Sequence, residues 1–147
     1  MSLGLNETSN NEVEAAYLSL RIIWLGMLVS VVTLFIITLL VQPSVSKAPV
    51  VFWILLAFGL ATFGASFVMK YRLLKQAAEK QNLGMVRTAY ITAFALCDAT
   101  GVFGIIAYLS TGMEYYYFFF VLSGFGTLLH KPQRDDLLAA TKANFEL

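Results

Sequence analysis

Four apolar stretches constrain this chain more than anything else in it. Ile22–Val41 runs 20 residues without a charge, and Ala48–Met69 runs 22. Thr88–Met113 runs 26 with Asp98 as its one formal charge, and Tyr115–Leu129 adds 15 more. The hydrocarbon core of a bilayer is about 30 Å thick, and about 20 helical residues cross it. Lipid offers no partner for backbone N–H and C=O groups, so such stretches must bond internally, as helices. Only 13% of the 147 residues are charged and mean hydropathy is +0.73, too little polar surface for a water-soluble domain of this size. The expected fold is all-α: a polytopic membrane protein with four transmembrane helices in an up-down-up-down bundle.

Punctuation along the chain sets the expected boundaries. Residues 1–12 form a polar N-terminal tail, and Ser9-Asn10-Asn11-Glu12 fits a capping box opening the first helix. Val13, Tyr17, Leu20 and Trp24 then follow at helical spacing, giving a first span over 13–42 that stops at Gln42-Pro43. The block is too long, and its polar, glutamate-bearing approach too acidic, for a secretory leader, so it is read as a retained span. The second span covers 49–75, with Lys70, Tyr71 and Arg72 suited to the interface. Gln76–Gly84 is the polar connection to a third span over 85–110, and Thr111-Gly112-Met113-Glu114 reverses the chain into a fourth over 114–131. Its 15 apolar residues rise only about 22 Å, so this span needs its flanks, a thinned bilayer or shielding protein. Pro132 blocks continuation. In the tail, 132–147, Asp135 and Asp136 favour a helix start, and Leu137, Leu138, Thr141 and Phe145 leave a narrow apolar face for the membrane or a partner.

Four spans place both termini and the 70–87 region on one side. That side holds Arg21, Lys70, Arg72, Lys75, Lys80, Arg87, Lys131, Arg134 and Lys142, whereas the other holds Lys47 alone. The positive-inside rule makes the richer side, and both termini, cytoplasmic. A net charge of +1 gives no footprint for nucleic acid, and the single cysteine, Cys97, excludes an intrachain disulfide.

Asp98 is the chemically informative residue. A carboxylate at the bilayer centre costs about 2.5–3.5 kcal/mol on insertion scales, so it must be protonated, paired or solvated. Small residues surround it in Ala93, Ala95, Cys97, Ala99, Gly101, Gly104 and Ala107, and close helix approach needs such residues. Ala95 and Gly101, three positions either side, are expected to share its face and turn it toward protein. The second helix offers Gly59, Thr62, Ala65 and Ser66 in a matching stripe; the fourth offers Ser123, Gly124, Gly126 and Thr127. Every lysine and arginine lies near a span end or outside the spans. Three readings stay open: an ion carrier with Thr62, Ser66 and Thr100 as polar helpers, a neutral acid bonding within the bundle, and a contact to another subunit.

The run Ala95-Leu96-Cys97-Asp98-Ala99-Thr100-Gly101-Val102-Phe103-Gly104-Ile105-Ile106-Ala107-Tyr108-Leu109 resembles the carboxylate-bearing helix of the rotary ATPase proteolipid, the c subunit, with a small residue before an acid and a glycine six positions after it. The loop Gln76-Ala77-Ala78-Glu79-Lys80-Gln81-Asn82 followed by Arg87 is similar to that family's polar cytoplasmic loop. The resemblance covers residues 54–112 and implies a helical hairpin with Asp98 as carrier of a proton or sodium ion. It departs from a standard rotor member in the second helix, where Gly59 and Gly64 stand amid Phe52, Trp53, Phe58, Phe63 and Phe67.

Two further features bear on ligands. His130, the only histidine, stands at the end of the fourth span, where interfacial or carbonyl-capping service competes with ligation of a haem or pigment. Tyr115-Tyr116-Tyr117-Phe118-Phe119-Phe120 reads as an interfacial aromatic belt or as a stacking surface for a quinone, pigment or lipid ring. The sequence requires no cofactor and carries no phosphate-cradling glycine loop, cysteine–histidine metal cluster or nucleophile–base pair. The expected function is that of a small non-enzymatic integral membrane subunit, packing through Gly59, Ala65, Ala95, Gly101, Gly104, Gly124 and its aromatic faces. Its partners would be membrane lipids and other membrane subunits, or copies of itself. The alternative is proton or sodium handling at Asp98.

Overall fold

The computed structural model describes residues 3–42 and 49–142. The chain is all-α: α1 (Leu3–Leu40), α2 (Pro49–Lys80), α3 (Leu83–Thr111), a 3-10 turn (Glu114–Tyr116), α4 (Tyr117–Leu129) and α5 (Arg134–Lys142). Over Asn10–Leu40, Pro49–Lys80 and Leu83–Thr111, three helices are long and apolar enough to cross a membrane. With 13 residues, α4 rises only about 20 Å and falls short of that length.

Two boundaries differ from the sequence reading. α1 begins at Leu3, so Ser9 lies inside a helix and does not open one. Once a long helix is nucleated, each added residue gains a hydrogen bond at little cost, and no proline stops α1 from extending back through the polar segment. The expected nine-residue connection at Gln76–Gly84 contracts to a turn at Gln81-Asn82, because Gln76, Ala77, Ala78, Glu79 and Lys80 are all good helix formers. Gln81 takes a positive φ of 49°, and the Asn82 side chain caps α3 by accepting from the N–H groups of Gly84 (2.9 Å) and Met85 (3.3 Å). At the far end Gly112, with φ 58°, closes α3 by donating its N–H to the Tyr108 carbonyl. The expected stop at Gln42-Pro43, Lys47 and the aromatic Phe145 fall on or next to residues outside the described set.

In cross-section the helices make a rhombus. α3 and α4 pack together as its short diagonal, α1 and α2 each pack against α3, and α1 also packs against α4. Among the described residues α1 and α2, consecutive in the chain, are not packed on each other. α1 and α3 run parallel in constant register: Arg87 bonds Ser19, Ser30 bonds Asp98, and Tyr108 bonds the Val41 carbonyl, at separations of 68, 68 and 67 residues. α1 and α4 are joined by Trp24, whose indole N–H donates to the Thr127 carbonyl at 2.8 Å, and by the rings of Phe35 and Phe120, 5.4 Å apart.

α5 is not a frayed tail. It folds back onto the end of the bundle that carries the Gln81-Asn82 turn, called here the basic end, where it touches α1, α2 and α3. Leu137 and Ala140 join Val13, Leu20, Ala77, Val86, Tyr90 and Phe94 in one buried cluster. Full burial of a leucine contributes about 1.5–3 kcal/mol where the alternative is water. Arg134 pairs with Glu14 at 3.2 Å, an exposed bridge that adds little.

Candidate functional site

Asp98 and the polar side chains expected to assist it lie in two separate places, a division the sequence does not disclose. Asp98 stands near the middle of α3, about 20 Å from either end, and is half-buried at the seam with α1. Its one described partner is Ser30 of α1, whose hydroxyl donates to Oδ1 at 3.4 Å. That is long for an O–H···O bond, whose usual limit is about 3.0 Å. Among the described residues Asp98 has no ion pair.

Thr62, Ser66 and Thr100, the expected helpers of Asp98, lie elsewhere, between α2 and α3. Thr62 and Thr100 share a hydrogen bond at 3.0 Å. Ser66 donates to the Phe63 carbonyl at 2.6 Å, stands 2.9 Å from His130 Nε2, and accepts from the Cys97 thiol at 3.6 Å. A hydroxyl has one proton and two acceptor lone pairs. With its proton on Phe63, Ser66 accepts from both His130 and Cys97, and this assigns the ring proton of His130 to Nε2. His130, 1% exposed, also lies against the Phe67 ring, 4.4 Å between centroids. Its Nε2 is therefore committed inside the bundle and is not presented to a haem or pigment.

Thr62, Ser66 and Lys70 recur every fourth residue along one face of α2, so this polar file continues toward the basic end. There the Lys70 ammonium lies 4.3 Å above the Tyr90 ring. The Tyr90 hydroxyl donates to the Asp136 carboxylate and accepts the Gln133 N–H at 3.0 Å, fastening α5.

The expected packing residues do not all pack. A Cβ on Gly104 would stand 2.8 Å from Phe119 Cβ, one on Gly59 3.0 Å from the Phe119 ring, and one on Gly101 3.2 Å from Ser123 Oγ. One on Gly124 would make only ordinary contact with Val31, at 3.9 Å. Gly126 is as tight as any, 2.8 Å from both Cys97 Sγ and the Phe63 ring. Ala65 is half-buried, whereas Ala95 is exposed and does not share a buried face with Gly101. Each residue turns the helix by about 100°, so positions three before and three after Asp98 diverge by about 120°. Gly101 falls on the α4 side and Ala95 on the outward side.

Most hydroxyls in the spans bond a carbonyl three or four residues back, including Thr33, Thr38, Thr62, Ser66, Thr88, Thr100, Ser110, Thr111 and Thr127. Ser30 and Ser123 do not. Ser30 turns to Asp98, and Ser123 Oγ, fully buried beside Gly101, has no partner among the described residues. The signal for Ser30 in the sequence was a lone serine in an apolar run, on a helix 68 residues away from Asp98.

At the end opposite the basic one, α2, α4 and the turn before α4 border an apolar groove of about 530 Å³, lined by Phe52, Trp53, Leu56, Tyr115, Phe118 and Phe119 among others. It gathers part of the aromatic run 115–120 with residues of α2. No family model, curated protein or solved structure matches the chain.

Proposed function

We propose that this chain is a small integral membrane subunit without catalytic activity of its own, which packs into a larger membrane assembly. In this reading α1 to α4 are four spans, α4 completes its crossing with the adjoining turn and neighbouring protein, and both termini face the cytoplasm with the basic end. The observation that carries the reading is Asp98: a half-exposed carboxylate at mid-depth, held by one long hydrogen bond and without a cation among the described residues. A group so placed calls for compensation from outside its own chain. The short α4, whose outward side exposes Tyr117, Phe118, Val121, Phe125, Leu128 and Leu129, supports the same reading. Gentle extraction from native membranes followed by native sizing tests it. The expected species is larger than 16.3 kDa plus its detergent and contains a second membrane protein. A clean monomer refutes the reading.

A second reading, proton handling at Asp98, is favoured by the unbonded Ser123 hydroxyl one turn along the α3 surface from the acid. Its helper residues would be Ser30 and Ser123, in place of Thr62, Ser66 and Thr100. A hydrophobic carbodiimide should then label Asp98 in lipid, less as pH rises and the acid ionises. Absence of labelling from acid to neutral pH removes this reading.

A further inference from the structure

Around the Ser30–Asp98 pair the outward surface is open. On α1 the helical neighbours of Ser30 at four before and three after are Gly26 and Thr33; on α3 those of Asp98 at three before and four after are Ala95 and Val102. All four are exposed, and a Cβ built on Gly26 meets nothing within 4 Å. Three of them are small, and such a surface lets another backbone come close. The nearest cation along α3 is Arg87, about 16 Å away by helical rise and bonded to Ser19. Arg21, Lys70, Arg72, Lys75, Lys80, Lys131 and Arg134 lie toward the same basic end.

We propose that this face receives one transmembrane helix of another protein, carrying a lysine or arginine at mid-depth that pairs with Asp98. The proposal rests on the subunit reading and names its partner's chemistry. A second copy of this chain does not fit the same face, because a twofold contact sets each patch against itself and brings two carboxylates together. An acyl chain lies against the small residues equally well but offers the carboxylate nothing. A cationic side chain satisfies both the charge and the shape.

The test uses the full chain, fluorescently labelled, in phosphatidylcholine vesicles. The probes are two synthetic apolar transmembrane peptides, one with a single central lysine and one with leucine there. Energy transfer should report about tenfold tighter association of the lysine peptide, the scale of one interhelical polar contact. Asp98→Asn should erase that advantage and Asp98→Glu should keep it. Gly26→Leu, at an exposed position where an added Cβ meets nothing within 4 Å, should weaken association while circular dichroism stays unchanged. Equal association of the two peptides with the wild type overturns the proposal, as does a lysine advantage that survives Asp98→Asn. Native sizing keeps the two readings apart. A large native species that persists in Asp98→Asn defeats the pairing alone, whereas a monomeric wild type defeats the subunit reading itself.

Discussion

Gly104→Ala is the sharpest test of how α3 meets α4. The added methyl would lie 2.8 Å from Phe119 Cβ and 3.2 Å from Phe120 Cε2. Carbon atoms rest at about 3.5–4.0 Å, and Phe119 Cβ is fixed by its backbone, so α4 must retreat by about 0.7–1.2 Å. The ring is held in place as well. The Phe119 ring packs edge-on against Phe52, 5.9 Å between centroids, and its far side lies against Gly59. Overpacking of this kind costs about 1–3 kcal/mol. Alanine also stabilises a helix by about 1 kcal/mol relative to glycine, which masks part of the loss. Gly26→Ala supplies the correction, because it gains the same helical preference at a position with open space around it. The difference between the two variants isolates the contact, and Gly104→Ala should be the less stable by about 1–3 kcal/mol. The assay is reversible unfolding in mixed micelles of mild detergent and dodecyl sulfate, followed by tryptophan fluorescence. Trp24 reports directly, since its indole is bonded across to α4. Agreement of the two variants within about 0.5 kcal/mol would refute the close α3–α4 packing.

Three other outcomes follow from the hydrogen bonds. Ser66→Ala should destabilise by about 1–3 kcal/mol in the same unfolding assay, because it strands the His130 N–H and the Cys97 thiol in a buried site. Ser123→Ala, with no bond to lose, should stay within about 0.5 kcal/mol of wild type; equal losses for the two serines would contradict the bonding described. Tyr90→Phe should speed amide hydrogen exchange across Arg134–Lys142, while Tyr71→Phe, at a residue 72% exposed, should leave it unchanged. Trp24→Phe should cost about 0.6 kcal/mol, the measured average for interhelical bonds in membranes, and an unchanged midpoint would show that the bond to Thr127 contributes nothing.

The helical character and the three long apolar helices are legible from the charge-free blocks, because lipid leaves the backbone no other option. Gly112 likewise announces the end of α3 by its conformational freedom, whereas the Asn82 cap was not read from the sequence. What escaped was partnership. Thr62, Ser66 and Thr100 have the right chemistry to assist an acid, yet they sit on the far side of α3 from it. Spacing along one helix says which residues share a side, not which neighbour that side meets. Ser30 became visible only once α1 and α3 were seen in parallel register. The reach of α5 was legible only in part: Leu137 stands on a narrow apolar face, but the burial of that residue and of Ala140 depends on a cluster supplied by three other helices. Polar composition misled at Gln76–Lys80, where solubility was read as a break although every residue favours the helix.

The rhombus has a consequence for how the protein is made. α1 leaves the ribosome before the other four helices, yet the helix that follows it is not one of its packing neighbours among the described residues, and its docking surface is complete only after α3, α4 and α5 have emerged. Until then the amino-terminal segment is a lodger, and the face it later buries stays uncovered. Severing the chain between α1 and α2 and expressing the two pieces together should therefore restore the whole.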